Sequence, residues 1–209
     1  RVIIKDDYAQ VSQWAAEHVI EKINAFNPTK EKPFVLGLPT GSTPIGMYQN
    51  LVKAYKMAED LEAECAAYEA EIAKFGGIHL FIGGIGPDGH IAFNEPGSSF
   101  SSRTRLKTLT TDTIIANSRF FDNDVNKVPK LALTVGIATV MSADEVMILC
   151  NGHNKARAMQ QVVEGAISQM WPISCLQNHR HGILVADEAA CAEIKVSTYR
   201  YFKDIEKGN

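Results

Sequence analysis

Short apolar runs alternate along the chain with longer segments in which apolar residues recur every three or four positions. A short apolar run between turn residues is typical of a buried strand, and the longer periodicity is typical of an amphipathic helix. The runs predict strands at residues 2–4, 34–38, 78–82, 131–135, 145–150 and 182–186.

The periodic segments predict helices between these strands. Asp6 or Asp7 can cap the first helix, in which we assign His18 to packing or to the helix surface. Thr43 and Pro44 open the second, because Thr is a good cap and Pro suits the first helical position. Further helical segments are predicted at residues 58–75, 112–121 and 137–141, after a cap at Asn154, and at residues 188–205.

The segment 58–75 has an apolar face and many glutamates. Its apolar face carries Leu61, Cys65, Tyr68 and Ile72, and Gly76-Gly77 is placed to end the helix. The glutamates predict a solvated face on the other side.

The alternation of strands and helices predicts the α/β class, with a mostly parallel, doubly wound sheet and helices on both faces. At 209 residues the chain has the size of one domain, and it contains no internal repeat or low-complexity stretch. We therefore treat residues 1–209 as a single domain. In such a sheet, ligands bind in the crevice beyond the carboxyl ends of the strands.

Composition narrows the classes of function. Hydrophobic residues make up 45% of the chain and charged residues 22%, as in ordinary soluble proteins, and the net charge of −3 argues against a nucleic-acid-binding surface. No apolar run is long enough to span a membrane and no signal-peptide pattern is found, so we expect a cytoplasmic protein. The four scattered cysteines predict reduced core thiols, with little support for a metal site.

The loop at residues 83–96 reads Gly-Gly-Ile-Gly-Pro-Asp-Gly-His-Ile-Ala-Phe-Asn-Glu-Pro and follows the predicted strand at residues 78–82. Its glycines let the backbone approach a ligand closely. Asp88, His90 and Glu95 leave this loop together, and a histidine held by a carboxylate can exchange a proton near neutral pH. The loop therefore predicts an acid–base site. The alternative is a buried core histidine beside a turn-forming Asp88 and a solvated Glu95.

A hydroxyl-rich turn lies between the predicted strand at residues 34–38 and the next helix. Thr40, Gly41, Ser42 and Thr43 would present free N–H groups and the positive end of a helix dipole, which suits phosphate. The pattern is weak by itself, because many strand–helix turns look similar. It is not a Walker A loop, since no lysine follows the glycine at the required position.

Three segments resemble the glucosamine-6-phosphate deaminase family. They are residues 83–96 with the following Ser98-Ser99 and Ser102-Arg103-Thr104-Arg105, residues 36–44, and residues 116–121. Related lactonases share the Gly-x-Asp-Gly-His core but lack the Asn94-Glu95-Pro96 that follows it here. The resemblance extends from Val2 to about Asp204 and implies a Rossmann-like fold.

The resemblance implies the conversion of glucosamine 6-phosphate and water into fructose 6-phosphate and ammonia, without a metal or organic cofactor. It implies that His90 exchanges a proton with the ring oxygen, while Asp88 and Glu95 orient it. It also implies that Arg119 and Lys155 bind the substrate phosphate together with residues 40–43, and that Arg119 lies in a mobile lid. Without the resemblance, these two cations would be interpreted as surface charges.

A second anion site is implied by positions at which hexameric members bind an allosteric activator, N-acetylglucosamine 6-phosphate. Arg105 and Lys107 are two residues apart on an extended segment, so both can face one way. The alternative is a solvated basic strand. The resemblance also implies a homo-oligomer, with a hexamer as the expected assembly. The matching positions are Ser98, Arg105, Lys107, Thr108 and Tyr201.

The chain departs from the family after Lys56. There the family has a strand and a loop reading Asn-Met-Asp-Glu-Tyr, whose aspartate is the general base of enolisation, but here Lys56 is followed by Met57. We expect that Lys56 and Met57 are not covalent neighbours in the complete protein, because loss of a sheet strand would leave backbone groups unpaired. Two alternatives stay open: a non-catalytic sugar-phosphate-binding protein and, with less support, a 6-phosphogluconolactonase.

Overall fold

The computed structural model describes residues 1–29, 32–37 and 60–207. The described part contains seven strands: β1 Val2–Lys5, β2 Leu36–Gly37, β3 Leu80–Gly84, β4 Arg105–Thr108, β5 Leu131–Thr134, β6 Glu145–Cys150 and β7 Gly182–Asp187. Five of them form a parallel sheet in the order β1-β7-β6-β3-β2, and β4 and β5 form a separate antiparallel pair. The predicted α/β class with a mostly parallel sheet is confirmed.

Helices connect the strands of the parallel sheet. The described α-helices are α1 Tyr8–Phe26, α2 Leu61–Lys74, α3 Thr111–Asn117, α4 Ile137–Met141, α5 Ala156–Glu164 and α6 Val196–Lys207. Short 3-10 helices occupy Ser118–Phe120, His153–Lys155, Pro172–Asn178 and Ala189–Cys191. None of the helices in these described ranges combines the length and the apolar character that crossing a bilayer requires.

Both faces of the parallel sheet are covered, because adjacent residues of a strand point to opposite sides. On one side, Met147 of β6 packs in a cluster with Val11 and Ala15 of α1. On the other side, the next residue, Ile148, packs in a cluster with Met159 of α5. The sheet is therefore doubly wound, as the sequence predicts.

The register of the strands brings several loops to one edge of the sheet. β3 pairs with β6 from Leu80 opposite Glu145 to Gly84 opposite Leu149. β6 and β7 run in the same direction, and Cys150 near the end of this pair lies opposite Ala186. The loops that leave β3, β6 and β7 therefore start side by side, at the carboxyl edge where this class binds ligands.

Helix ends follow the predicted signals in two places. Asp7 caps α1, with its carboxylate accepting a hydrogen bond of 2.8 Å from the N–H of Gln10. α2 ends before Gly77, whose φ of 104° is a left-handed conformation and whose N–H donates to the carbonyl of Ile72 at 3.0 Å. A glycine suits such a C-terminal cap because it has no Cβ.

The start of α5 differs from the prediction. No side-chain hydrogen bond caps this helix, so the expected cap at Asn154 is wrong. The turn His153–Lys155 takes that place, with the N–H of Lys155 donating to the carbonyl of Gly152 at 3.1 Å. Lys155 accordingly lies at the very start of α5.

β2 is shorter than the predicted strand at residues 34–38. The N–H of Val35 donates to Nδ1 of His79 at 2.9 Å, so a side chain takes a backbone donor that a regular strand would use. Leu38, the helix start at Thr43 and Pro44, and the junction of Lys56 with Met57 lie outside the described residues.

α2 differs from its predicted amphipathic pattern. Its apolar face is covered only in part, since Tyr68 is 51% exposed. Glu69 was predicted to face solvent, but its Oε1 accepts hydrogen bonds from the N–H and hydroxyl of Thr104 at 2.9 and 2.5 Å and from the hydroxyl of Thr139 at 2.5 Å. Its other oxygen lies 3.5 Å from the guanidinium of Arg103. Glu69 therefore ties α2 to the segment before β4, and the solvated-face prediction is wrong at this position.

Candidate active site

The loop after β3 folds so that the imidazole of His90 lies over the backbone of Gly86. The N–H of Gly86 donates to the carbonyl of His90 at 3.0 Å, and the N–H of Gly89 donates to the carbonyl of Gly86 at 3.0 Å. A Cβ atom on Gly86 would overlap the His90 ring and would lie 2.6 Å from Oδ1 of Asp88. The sequence therefore needs a glycine at this position to admit the two polar side chains.

Asp88 and His90 contact each other within this loop. Oδ1 of Asp88 lies 2.7 Å from Nδ1 of His90, and their side chains are 44% and 27% exposed, so a ligand can reach both. Burial raises the pKa of Asp88, but the adjacent His90 ring outweighs that effect, and the pKa lies below its ordinary value. An ionised Asp88 beside Nδ1 can hold the ring and stabilise an imidazolium.

Backbone contacts fix the rest of the loop. Gly89 has a φ of 78°, and its carbonyl accepts a hydrogen bond of 2.8 Å from the N–H of Ile173. Asn94 is fully buried, and its Nδ2 donates to the carbonyls of Ile91 and Val135 at 2.9 and 2.8 Å. Asn94 therefore clamps the loop to the segment that follows β5.

Glu95 is buried, and its hydrogen bonds go to two threonines instead of to His90. Its Oε1 accepts hydrogen bonds from the N–H and hydroxyl of Thr110 at 3.1 and 2.8 Å and from the hydroxyl of Thr113 at 2.6 Å. Although both residues are described, no hydrogen bond or ion pair joins Glu95 to His90. The carboxylate instead links the loop at residues 83–96 to the N-terminus of α3.

Lys155 lies at the carboxyl edge, in the turn after β6. It is partly buried, and desolvation lowers the pKa of its ammonium group, with the charge of Arg119 acting in the same direction and Asp88 in the opposite one. These interactions place Lys155 within electrostatic reach of both residues. Of the predicted site residues, Lys155 thus interacts electrostatically with Asp88 and Arg119.

Arg119 follows α3 in the 3-10 helix Ser118–Phe120. Its side chain is exposed, and the guanidinium carbon lies 4.7 Å from the centre of the Phe120 ring. Among the described carboxylates, none forms an ion pair with it. The other predicted phosphate-binding residues, Thr40, Gly41, Ser42 and Thr43, lie outside the described residues.

Of the predicted allosteric residues, only Arg105 and Lys107 share one face of an element. Arg105 and Lys107 share the less exposed face of β4, and Thr108 lies on its other face. Ser98 is buried, with a hydroxyl that has no partner in the described part of the chain. Tyr201 is 61% exposed on α6, and no described contact joins it to this group.

Three residues at this edge were not identified from the sequence. Thr110 and Thr113 donate hydrogen bonds to Glu95. The general preference for Thr as a helix cap was the only sequence signal for Thr110, which caps α3. Asp187 ends β7 and binds the turn before Lys155 through the N–H of Gly152. A carboxylate directly after an apolar strand was the available signal for Asp187.

The opposite edge of the sheet holds a separate charged cluster. Nε2 of His18 lies 2.5 Å from Oε1 of Glu145, and Nζ of Lys22 lies 2.7 Å from the second oxygen of Glu145. The His18 ring also stacks on Trp14 with 5.0 Å between centroids. These residues line a cleft of about 570 Å³, and His18, which the sequence assigns to packing or to the helix surface, there both stacks on Trp14 and contacts Glu145.

All four cysteines are buried and free, which confirms the predicted core thiols. Burial raises the pKa of Cys150, Cys175 and Cys191 to about 12, so these thiols are protonated at neutral pH. In the part of the chain that the structure describes, no group of three or more His, Cys, Asp or Glu side chains is placed to hold a metal ion.

Known proteins resemble this chain along its whole length. A sequence model of the family described as glucosamine-6-phosphate isomerases/6-phosphogluconolactonase matches residues 52–185. The glucosamine-6-phosphate deaminase of Phocaeicola vulgatus is 59% identical, with 100% of this chain and 99% of the relative covered. That alignment extends over 261 positions against 209 residues here, so the relative has residues where this chain has a gap.

Solved structures agree with the sequence comparison. A monomeric glucosamine-6-phosphate deaminase is similar with a TM-score of 0.79 and 32% identity, over 92% of this chain and 99% of that one. The 6-phosphogluconolactonase from Trypanosoma cruzi has a TM-score of 0.66 at 15% identity, over 91% and 95% of the two chains, and shares the fold. The chain therefore belongs to the family of glucosamine-6-phosphate isomerases and 6-phosphogluconolactonases.

Proposed function

We propose that the protein is a glucosamine-6-phosphate deaminase, which converts glucosamine 6-phosphate and water into fructose 6-phosphate and ammonia in amino-sugar catabolism. The observation that carries this proposal is the Asp88–His90 pair, with 2.7 Å between Oδ1 and Nδ1, at the carboxyl edge of the sheet. The 59% identity to a named deaminase supports the choice of this reaction among those of the family.

In the proposed mechanism, His90 opens the sugar ring. Because Nδ1 faces Asp88, Nε2 is the nitrogen that exchanges a proton with the ring oxygen. Asp88 has a pKa below its ordinary value, so it is ionised at neutral pH and stabilises the imidazolium that forms. A histidine in this setting can both donate and accept a proton during one turnover.

The substrate phosphate is proposed to bind Lys155 and Arg119 together with residues 40–43. Lys155 is the partly buried cation of the pair and lies near Asp88, so it can hold the phosphate end while the sugar ring reaches His90. Arg119 is exposed after α3, which suits a contact that forms when the ligand binds. Two cations that converge on one phosphate give strong charge-assisted hydrogen bonds.

Glu95 is proposed to belong to the same catalytic group. Its carboxylate holds Thr110 and Thr113 at the start of α3, and Arg119 follows the end of that helix. Glu95 thereby connects the loop of His90 with the segment that carries a phosphate-binding cation. Through this connection it can influence the orientation of both.

The base that moves the C2 proton during enolisation is proposed to come from the family segment between Lys56 and Met57. No residue of the 209 is assigned to this step. The alignment of 261 positions with the Phocaeicola vulgatus protein supports a segment that this chain lacks. Deamination therefore requires the complete protein.

The second anion site, at Ser98, Arg105, Lys107, Thr108 and Tyr201, is proposed to bind N-acetylglucosamine 6-phosphate in a cytoplasmic homo-oligomer, with a hexamer as the expected assembly. The shared face of Arg105 and Lys107 supports the anion site. A solved relative is described as monomeric, so the assembly needs a direct measurement such as light scattering, with and without the effector.

Ammonia release from glucosamine 6-phosphate tests the proposed function, with fructose 6-phosphate measured in parallel. Equal amounts of the two products are expected from the complete protein. Hydrolysis of 6-phosphogluconolactone without ammonia release would indicate the lactonase instead. Binding of glucosamine 6-phosphate with no product of either kind would indicate a non-catalytic binding protein.

A further inference from the structure

Asp187 is a buried carboxylate at the carboxyl edge that the proposed reaction does not use. It is the last residue of β7 and is 8% exposed. Its two oxygens lie 3.0 and 3.1 Å from the backbone nitrogen of Gly152, which donates to them, and Oδ1 also accepts from the N–H of Ala190 at 2.8 Å. No lysine, arginine or histidine in the described ranges forms an ion pair with it. Backbone donors therefore satisfy this carboxylate.

The residue that Asp187 holds begins the turn that carries Lys155. Gly152 has a φ of 86° and a ψ of 152°, a conformation that favours glycine. The chain then forms the 3-10 helix His153–Lys155, which no side chain caps. The bond from Gly152 to Asp187 thus ties the start of this turn to the end of the neighbouring strand.

Lys155 depends on that turn for its position. Its ammonium group is partly desolvated, which lowers its pKa, and it interacts with the charges of Asp88 and Arg119. A shift at Gly152 would propagate directly to Lys155, because the two residues belong to one short turn closed by the hydrogen bond from the Lys155 N–H to the Gly152 carbonyl.

We propose that Asp187 is a positioning residue for phosphate binding: its carboxylate fixes the turn at Gly152 and thereby holds Lys155 where a phosphate group binds. The inference rests on the proposed phosphate-binding role of Lys155. In this proposal Asp187 does not contact the substrate or the reacting atoms. It acts through the backbone and through one lysine.

The first test compares Asp187→Asn with Glu188→Gln in the complete protein. The asparagine keeps the shape but removes the charge and leaves a single acceptor oxygen, and its NH2 group then faces the N–H of Gly152. Glu188 is the next residue, and its carboxylate binds the Tyr199 hydroxyl at 2.7 Å and Lys203 at 3.3 Å instead of the turn, so it is a matched control.

Two readouts are measured: the Kd for inorganic phosphate by calorimetry, and kcat and KM for glucosamine 6-phosphate. Asp187→Asn is expected to weaken phosphate binding about tenfold and to raise KM more than it lowers kcat. Glu188→Gln is expected to leave phosphate binding unchanged. Equal phosphate affinity in Asp187→Asn and the parent would overturn the proposal.

A double-mutant cycle separates positioning from general loss of structure. If Asp187 acts through Lys155, then Asp187→Asn changes phosphate affinity little in a Lys155→Ala background. If the losses add, Asp187 does not act through this lysine and the proposal is wrong.

Gly152→Ala provides a second route if Asp187→Asn does not fold. It strains the same turn through the positive φ and leaves the buried carboxylate in place. It is expected to weaken phosphate binding in the same way, again only while Lys155 is present. The phosphate measurement does not need catalysis, so it separates this inference from the proposed function. A protein that binds phosphate through Asp187 and Lys155 but releases no ammonia would contradict the proposed function. It would not contradict this inference.

Discussion

Oδ1 of Asp88 lies 2.7 Å from Nδ1 of His90, and both side chains occupy the space where a Cβ atom on Gly86 would project. The two residues are separated by one position, so the loop itself brings the pair together, and hydrogen bonds to Ile173 and Val135 hold the loop in place. Because Nδ1 contacts Asp88, Nε2 of His90 remains available to a ligand. The negative charge of Asp88 lies on the Nδ1 side of the ring. An arrangement of this kind favours proton exchange by the imidazole.

Gly86→Ala is expected to reduce turnover strongly, because its Cβ would overlap the His90 ring. Gly84→Ala is the matched control: it lies two residues earlier, and a Cβ there meets no atom within 4 Å. The measurement is kcat with thermal unfolding recorded for both variants. Full activity in Gly86→Ala would show that the His90 position does not matter for the reaction.

His90→Gln is expected to lower kcat by roughly 10²–10⁴-fold, the usual contribution of a general acid–base group. Glutamine keeps a polar side chain of similar length but does not titrate. The ring is 27% exposed, so the fold should be retained, and circular dichroism with the melting temperature checks this. Near-parent ammonia release from a folded variant would remove His90 from the ring-opening step.

Lys155→Ala and Arg119→Ala are each expected to weaken the binding of glucosamine 6-phosphate by about 1.5–3 kcal/mol, as for a charged hydrogen bond. Binding of glucosamine, which has no phosphate, should not change. Lys127→Ala is the control, since this exposed lysine pairs with Asp122. Unchanged glucosamine 6-phosphate affinity in the two variants would place the phosphate anchor elsewhere.

The sequence was sufficient for the features that depend on neighbouring residues. The bounds of β6 and α4 agree with the predicted segments at residues 145–150 and 137–141. Asp88 and His90 were grouped correctly because residues two positions apart in a tight loop are forced together. Their contact needed no knowledge of the tertiary structure.

The sequence was not sufficient where a side chain is held by distant parts of the chain. Glu95 was expected at His90, yet its hydrogen-bond partners are 15 and 18 residues further on. Glu69 was assigned to solvent, yet it binds groups 35 and 70 residues away. Such contacts depend on how whole elements pack, and neither periodicity nor spacing reports that packing.

Glu69→Gln is expected to destabilise the fold by about 1–3 kcal/mol at neutral pH, because it weakens charged hydrogen bonds. Burial raises the pKa of Glu69, but hydrogen bonds from Thr104 and Thr139 outweigh it and the pKa lies below its ordinary value. A lowered pKa means stabilisation that is present above the ordinary value of 4.5 and is lost as the pH falls through the folded value.

The difference in unfolding free energy between the parent and Glu69→Gln should therefore shrink as the pH is lowered below 4.5. Glu71→Gln is the matched control on the same helix, since this exposed glutamate binds only Lys74 among the described residues. It should change stability by less than about 0.5 kcal/mol. A Glu69 effect that is constant with pH would contradict an ionised, hydrogen-bonded carboxylate.

The last prediction concerns the segment expected between Lys56 and Met57. The purified protein, expressed from its complete gene, should have an intact mass above the 22.9 kDa of these 209 residues. The fold offers a place for the segment's strand, because β2 ends the sheet order and β3 is its single neighbour in the described part of the chain. A further parallel strand would pair with the outer side of β2, which would otherwise present unpaired backbone groups. It would end at the carboxyl edge, where a general base must stand to reach C2 of the substrate. A mass of 22.9 kDa together with binding but no ammonia release would contradict this expectation, and the non-catalytic sugar-phosphate-binding protein would then be the better interpretation.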